Sequence, residues 1–155
     1  VGFSTLGLII SLAVLAPNLL LVLFPPQTPP PVARVPRALG WIERAGQALC
    51  LVVPAITQQG ELAGWWAIPT FCGLGGYYAL WARYLLTGRE GATLYRPWWV
   101  VPVPMATLPV VVFLSAAAWL SNPWIVAAAV VLAVGHIPAS GVIARALAPA
   151  DNNNS

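Results

Sequence analysis

The sequence predicts an all-α integral membrane protein, a single bundle of about five transmembrane helices with its N-terminus outside and its C-terminus cytoplasmic. Three observations carry that expectation. Hydrophobic residues fill 59% of the 155 positions and the mean hydropathy is +0.81, above the ordinary apolar share of about 45–50%. Charged residues make up only 7%, too few to clothe a soluble surface. The apolar residues also gather into runs near the length of about 20 residues that crosses a bilayer. One bundle over about residues 1–150 accounts for the chain, and the polar DNNNS at 151–155 is expected to fray.

The runs fall at roughly 3–24, 41–58, 64–86, 98–120 and 123–147. The first, opening VGFSTLGLII, lacks a basic leader and a small-residue cleavage site, so it reads as a span and not a signal peptide. PPQTPPPVARVPRALG (25–40) then ends it, because each proline lacks an N–H and disfavours helix in the residue before it. QQGELAG and TGREGATLYRP bound the third run with polar residues and glycine. The fourth carries Pro102, Pro104 and Pro109, which predict a kink or unwound turn facing the protein interior. SNPW is a short turn whose Pro123 suits the first position of the fifth helix.

All the basic residues are arginines, and their placement orients the runs. Arg34 and Arg37 follow the first, Arg89 and Arg96 follow the third, and Arg145 marks the end of the fifth. The other two loops have none, and one holds Glu61. Positive charge belongs in the cytoplasm. Trp65, Trp66, Trp119 and Trp124 then sit near the outer ends, and Trp41, Trp98 and Trp99 near the inner ends, as interfacial belts. An arginine-only basic set with rich Ala, Val, Pro and Leu is what a GC-rich bacterial genome encodes, so the expected location is a bacterial inner (cytoplasmic) membrane, multi-pass, among membrane lipids.

A rise of about 1.5 Å per residue then sets the depth of each polar group. Asn18, Glu43, Arg44, Gln47, Trp81, Arg83, Tyr84, Trp98 and Ser140 fall toward the cytoplasmic side, with Tyr77 and His136 near the middle. Glu43 and Gln47 share a face at i and i+4, while Arg44 is turned about 100° away toward headgroups or Glu90. Tyr77, Trp81 and Tyr84 share one face of the third helix. Cys72, Gly76, Ala79 and Arg83 share another, whose small residues permit close helix approach. Glu43 is expected to meet Arg83 or His136. An arginine neighbour would hold it ionised in a structural pair; an apolar or aromatic setting would keep it protonated as an acid. Each group also has a plainer role. Arg44 can snorkel, Asn18 can satisfy backbone freed by Pro17, His136 can be a hydrogen-bonded core residue, and the aromatic stripe can be packing.

Several chemistries are excluded by pattern. Cys50 and Cys72 lie in apolar runs without a CxxC or Cys/His spacing and read as buried free thiols, so no metal is expected. No phosphate-cradling glycine loop or clustered carboxylates occur, no cofactor is implied, and the scattered arginines form no nucleic-acid stripe. An acid in an aromatic enclosure remains. That pattern, with the chain size and span count, resembles the small bacterial integral membrane terpene (isoprenoid) cyclases. The resemblance implies protonation of an apolar isoprenoid by Glu43, with His136 as the second catalytic candidate. It also implies a pocket formed by Asn18, Trp41, Gln47, Tyr77, Trp81, Arg83, Tyr84 and Trp98. The sequence departs from that class in offering a single well-placed acid. Two other readings stand beside it. A small-solute carrier or channel would use the proline-broken helix and the titratable Glu43 and His136, with a homo-oligomer supplying the symmetry the chain lacks. An accessory subunit would use its polar groups to dock a partner.

Overall fold

The computed structural model describes residues 1–30 and 32–147. The expectation of a frayed tail at 151–155 falls outside them. The chain is all-helical, with isolated bridges Thr28–Glu90 and Trp98–Val101 in place of a sheet among the described residues. Helix α1 runs over Thr5–Leu15, passes through a tight turn at Ala16–Leu19, and resumes as α2 over Leu20–Leu23. Then follow α3 (Arg37–Ile56), α4 (Ala67–Leu86), α5 (Pro104–Trp119) and α6 (Pro123–Leu147). Three helical stretches are long and apolar enough to cross a membrane: Thr5–Leu23, Arg37–Ile56 and Pro123–Leu147. Helix α4 has the length, but glycines, tyrosines and Arg83 dilute its hydropathy. Helix α5 is apolar and shorter, at 16 residues.

Local chemistry explains the boundaries. Ser4 caps α1 by accepting from the Gly7 N–H at 3.1 Å, and Asn122 caps α6 by accepting from the Trp124 N–H at 3.1 Å. Helix α3 begins at Arg37, right after Pro36, earlier than apolarity alone indicates. The expected break in the fourth run takes another form. Pro102 lies outside the helix, Pro104 occupies its first turn, and only Pro109 is interior. The prolines therefore delay the helix and leave 98–101 as a tight turn with Trp99 at φ 57°.

The helices alternate in direction. Gly2 and Ser4 bond the carbonyls of Ile56 and Ala55, so α1 lies antiparallel to α3. Glycines then set the closest approaches. A Cβ on Gly46 would overlap the backbone of Leu132 on α6, and one on Gly135 would overlap the backbone of Glu43 on α3. A Cβ on Gly7 would overlap the Pro54 carbonyl. Helix α4 packs on α5, where a Cβ on Gly73 would press on Val112 at 2.9 Å. Gly73 thus meets α5, whereas Cys72 and Ala79 of the expected small-residue face are exposed, and only its Gly76 approaches α5, at Leu108. Packing runs α1–α3–α6–α5–α4, while α1 and α4 stand apart and are joined by tyrosines.

Two of those contacts repair the backbone. Pro17 lacks an N–H, which frees the Ala13 carbonyl, and Tyr78 Oη donates to it at 2.8 Å. Pro54 likewise frees the Cys50 carbonyl, and Ser11 Oγ donates to it at 2.8 Å. Cys50 is buried, whereas Cys72 is exposed, because the Cys72 side of α4 faces away from α5.

Gly135→Ala is expected to lower thermal stability in detergent by at least about 1–3 kcal/mol, since helix backbones must part to admit the methyl group. Gly75, with nothing within 4 Å, is the control. Gly75→Ala should be neutral or stabilise by up to about 1 kcal/mol. Equal melting temperatures for the two variants would contradict the glycine contact.

Candidate functional site

The close contact of α3 with α6 sets two polar side chains against each other. Glu43 Oε1 lies 2.6 Å from His136 Nδ1, with the two side chains 25% and 22% exposed. Of the two expected partners for Glu43, His136 is the one it meets. Arg83, in the last turn of α4, makes no ion pair among the described residues. The reason is packing: α4 lies on α5, across the bundle from α3.

Two adjoining spaces open beside His136. The smaller, of about 10 Å³, is lined by Val14, Leu15, Asn18, Gln47, Tyr77, Pro109, Leu132 and His136. That admits no more than about one water molecule. The larger, of about 90 Å³, is lined by Asn18, Leu21, Tyr77, Trp81, Leu94, Tyr95, Met105 and His136. It lies between α4 and the stretch that runs from the Ala16–Leu19 turn into α2. Tyr77 spans that gap and donates to Asn18 Oδ1 at 3.1 Å. Asn18 sits in the tight turn produced by Pro17, and it is Tyr78, not Asn18, that serves the freed carbonyl.

Tyr77 and Trp81 are buried, and their rings meet edge to face at 6.2 Å. The Trp81 indole N–H is fully buried with no partner among the described residues. Tyr84 lies deeper. Its hydroxyl donates to the Phe24 carbonyl at 3.0 Å and its ring packs on Trp81 at 5.8 Å, so it supports the wall without lining the space. Trp41 is 70% exposed and stacks with the Arg44 guanidinium at 5.9 Å. Arg44 therefore turns away from Glu43, as the helical spacing requires, but Glu90 pairs with Arg96 at 3.5 Å. Trp98 is exposed in the turn ahead of α5. Trp41 and Trp98 do not reach the cleft, because the first opens the outer face of α3 and the second precedes a helix that starts late.

Leu94, Tyr95 and Met105 complete the cleft and were not expected from the sequence. A short helical turn over Gly91–Tyr95 brings in the first two. It is held by the Gly91 N–H bonding the Thr28 carbonyl at 2.9 Å, where a Cβ on Gly91 would press on Pro30 at 2.6 Å. The signal available was the tyrosine between Leu94 and Arg96 in an otherwise polar loop. Burial pushes the Tyr95 phenol above its usual pKa, and the negative charge of Glu43 adds to that rise.

No group of three metal-ligating side chains forms among the described residues. The chain matches no family model, no curated protein and no solved structure.

Titration checks the relation between the loop and the helix pair. The absorbance difference between the protein and Tyr95→Phe should isolate a phenol that ionises above the usual value of 10.0. Glu43→Gln should bring it down only part of the way, since burial is the larger cause. A neutral phenol favoured by the fold also means stability lost as pH rises past the unfolded value, and Tyr95→Phe should lessen that loss.

Proposed function

We propose that the chain is a multi-pass protein of a bacterial cytoplasmic membrane and an enzyme that performs acid–base chemistry on a lipid-like, isoprenoid-type substrate. His136 exchanges the proton with the substrate and Glu43 orients it. The contact of Glu43 Oε1 with His136 Nδ1 at 2.6 Å, at the wall of the cleft, is the observation that carries this reading.

The membrane part is supported by the three long apolar helices and by the many exposed large hydrophobic side chains along them. All seven arginines (34, 37, 44, 83, 89, 96 and 145) fall toward one end of the bundle, which makes that end cytoplasmic under the positive-inside rule. Helices α4 and α5 supply the remaining spans. Sixteen helical residues reach only about 24 Å, and the segment ahead of Pro104 makes up the depth. That segment turns Trp98, Trp99 and Val100 outward, and tryptophans so placed suit the headgroup level, where water satisfies irregular backbone.

The chemical part follows from the inventory of donors. An ionised carboxylate only accepts, so Nδ1 carries a proton toward Glu43. Nε2 is left as the ring nitrogen that takes a proton from a ligand or gives one to it. The carboxylate holds the ring in that tautomer and stabilises the imidazolium when it forms, the logic of any base oriented by an acid. Glu43 is thereby a positioning residue in place of the proton donor that its isolation in the sequence implied. The ring faces of Tyr77 and Trp81 offer attraction to a developing positive charge. A space of about 90 Å³ is well below the roughly 300 Å³ at which ligand pockets begin. It takes the reacting end of a substrate, while the chain lies outside, along the gap between α4 and the Ala16–Leu19 turn and in the bilayer.

The small cleft also favours a second reading, a proton-coupled carrier of a small polar solute using the same pair. Lipid extracts separate the two. Membranes holding the protein should convert at least one lipid that membranes holding His136→Gln leave unchanged, and Glu43→Gln should slow the conversion by about 10²–10⁴-fold. Identical lipid profiles with proton-driven solute accumulation would replace the enzyme by the carrier. The topology is checked by single cysteines: one placed within 32–36 should resist an impermeant reagent in intact cells, and one at Gly60 should react.

A further inference from the structure

The indole of Trp81 is 3% exposed and forms part of the cleft wall, yet its N–H has no partner. A buried donor left unpaired costs about 1–3 kcal/mol, and an indole can only donate. The nearby acceptors do not relieve it. Tyr77 Oη lies close enough to feel the indole but does not meet its N–H as a hydrogen bond. Asn18 Oδ1 is engaged by the Tyr77 hydroxyl, Leu21 and Leu94 are apolar, and the Met105 sulfur is a weak acceptor. The ring itself is held from both sides by edge-to-face contacts with Tyr77 and Tyr84. Of the other polar groups of the cleft, Tyr95 Oη can donate or accept, and the second ring nitrogen of His136 is the unprotonated one when Nδ1 carries the proton toward Glu43. The Trp81 N–H is the donor left without a partner in a mostly apolar space.

We infer that the cleft binds the polar end of a lipid-like ligand through an acceptor oxygen, such as that of a carbonyl or ether, with the Trp81 indole N–H as its specificity-determining donor. This rests on the cleft being the ligand site, as proposed above, and narrows the ligand to an oxygenated lipid in place of a plain hydrocarbon. The adjoining His136 then meets the same end group, which places the oxygen within range of the group that exchanges protons.

The test compares two long-chain probes of one shape: a methyl ketone, dodecanone, and the alkene in which a methylene group replaces its carbonyl oxygen. Each is titrated into the purified full chain in lipid nanodiscs, and Kd is read by native mass spectrometry. The protein should prefer the ketone by about tenfold, the size of one buried hydrogen bond. Trp81→Phe should bring that preference close to one, whatever the smaller ring does to the affinity for both probes. Should Trp81→Phe fail to fold, the indole ¹⁵N–¹H resonance of Trp81, assigned through its contacts with the Tyr77 and Tyr84 rings, should move with the ketone and stay with the alkene. The inference is overturned by equal affinity for the two probes, by a preference that persists in Trp81→Phe, by an unmoved resonance, or by binding of neither. Binding is measured and not turnover, so a ketone preference without lipid conversion would leave this inference standing and remove only the enzymatic reading.

Discussion

Everything at the site depends on how closely α3 and α6 approach at Gly46 and Gly135. A side chain at either position would meet the opposite helix's backbone, so the two axes are held nearer than larger residues would allow. Glu43 lies three residues before Gly46, and His136 directly follows Gly135. The contact therefore delivers one carboxylate oxygen to one ring nitrogen at 2.6 Å. A wider spacing would leave a carboxylate and an imidazole each in search of a partner in apolar surroundings, where an unpaired charge is costly.

A second constraint is the supply of hydrogen bonds to backbone that proline has opened. Pro17 and Pro54 each release a carbonyl four residues earlier, and hydroxyls of Tyr78 and Ser11 on neighbouring helices take them. These bonds tie α1 to its neighbours on both sides, to α4 through Tyr78 and to α3 through Ser11. Tyrosine is long enough to do this across a gap, so α4 need not touch α1. The space left between α4 and the stretch from the Ala16–Leu19 turn into α2 is the cleft. The irregular turn at Ala16–Leu19 is thus both the cause of a repair and the place that presents Asn18 to Tyr77.

The cleft's dimensions and its donors bear on different questions. In the proposed reading, its volume limits which part of a ligand can enter, and the unpaired Trp81 N–H calls for an acceptor on that part. Of the Glu43–His136 pair, only His136 lines the adjoining hollows, where Asn18 and Tyr77 also border both. In the proposed chemistry, proton exchange by the pair passes through His136. The loop bearing Tyr95 covers the same region.

Composition and pattern by themselves determined the helical class, the breaks between the apolar runs and the depth of the polar groups. The last helix occupies Pro123–Leu147, where SNPW and the arginine at its end place it. Breaks need only proline and glycine, which act locally, and depth needs only a count of residues along an axis. Hence Asn18, Glu43, Gln47, Tyr77, Trp81 and His136 were legible as a group lying on one side. Azimuth is another matter, because it depends on which helices pack and how closely. The tertiary structure alone decided that Glu43 meets His136 and not Arg83, since α4 packs on α5. It alone turned Trp41 outward, left Trp98 in a turn, and folded Leu94 and Tyr95 in from a loop. Those outcomes rest on glycine contacts and a loop anchor between residues far apart in sequence, and no periodicity within one helix encodes them.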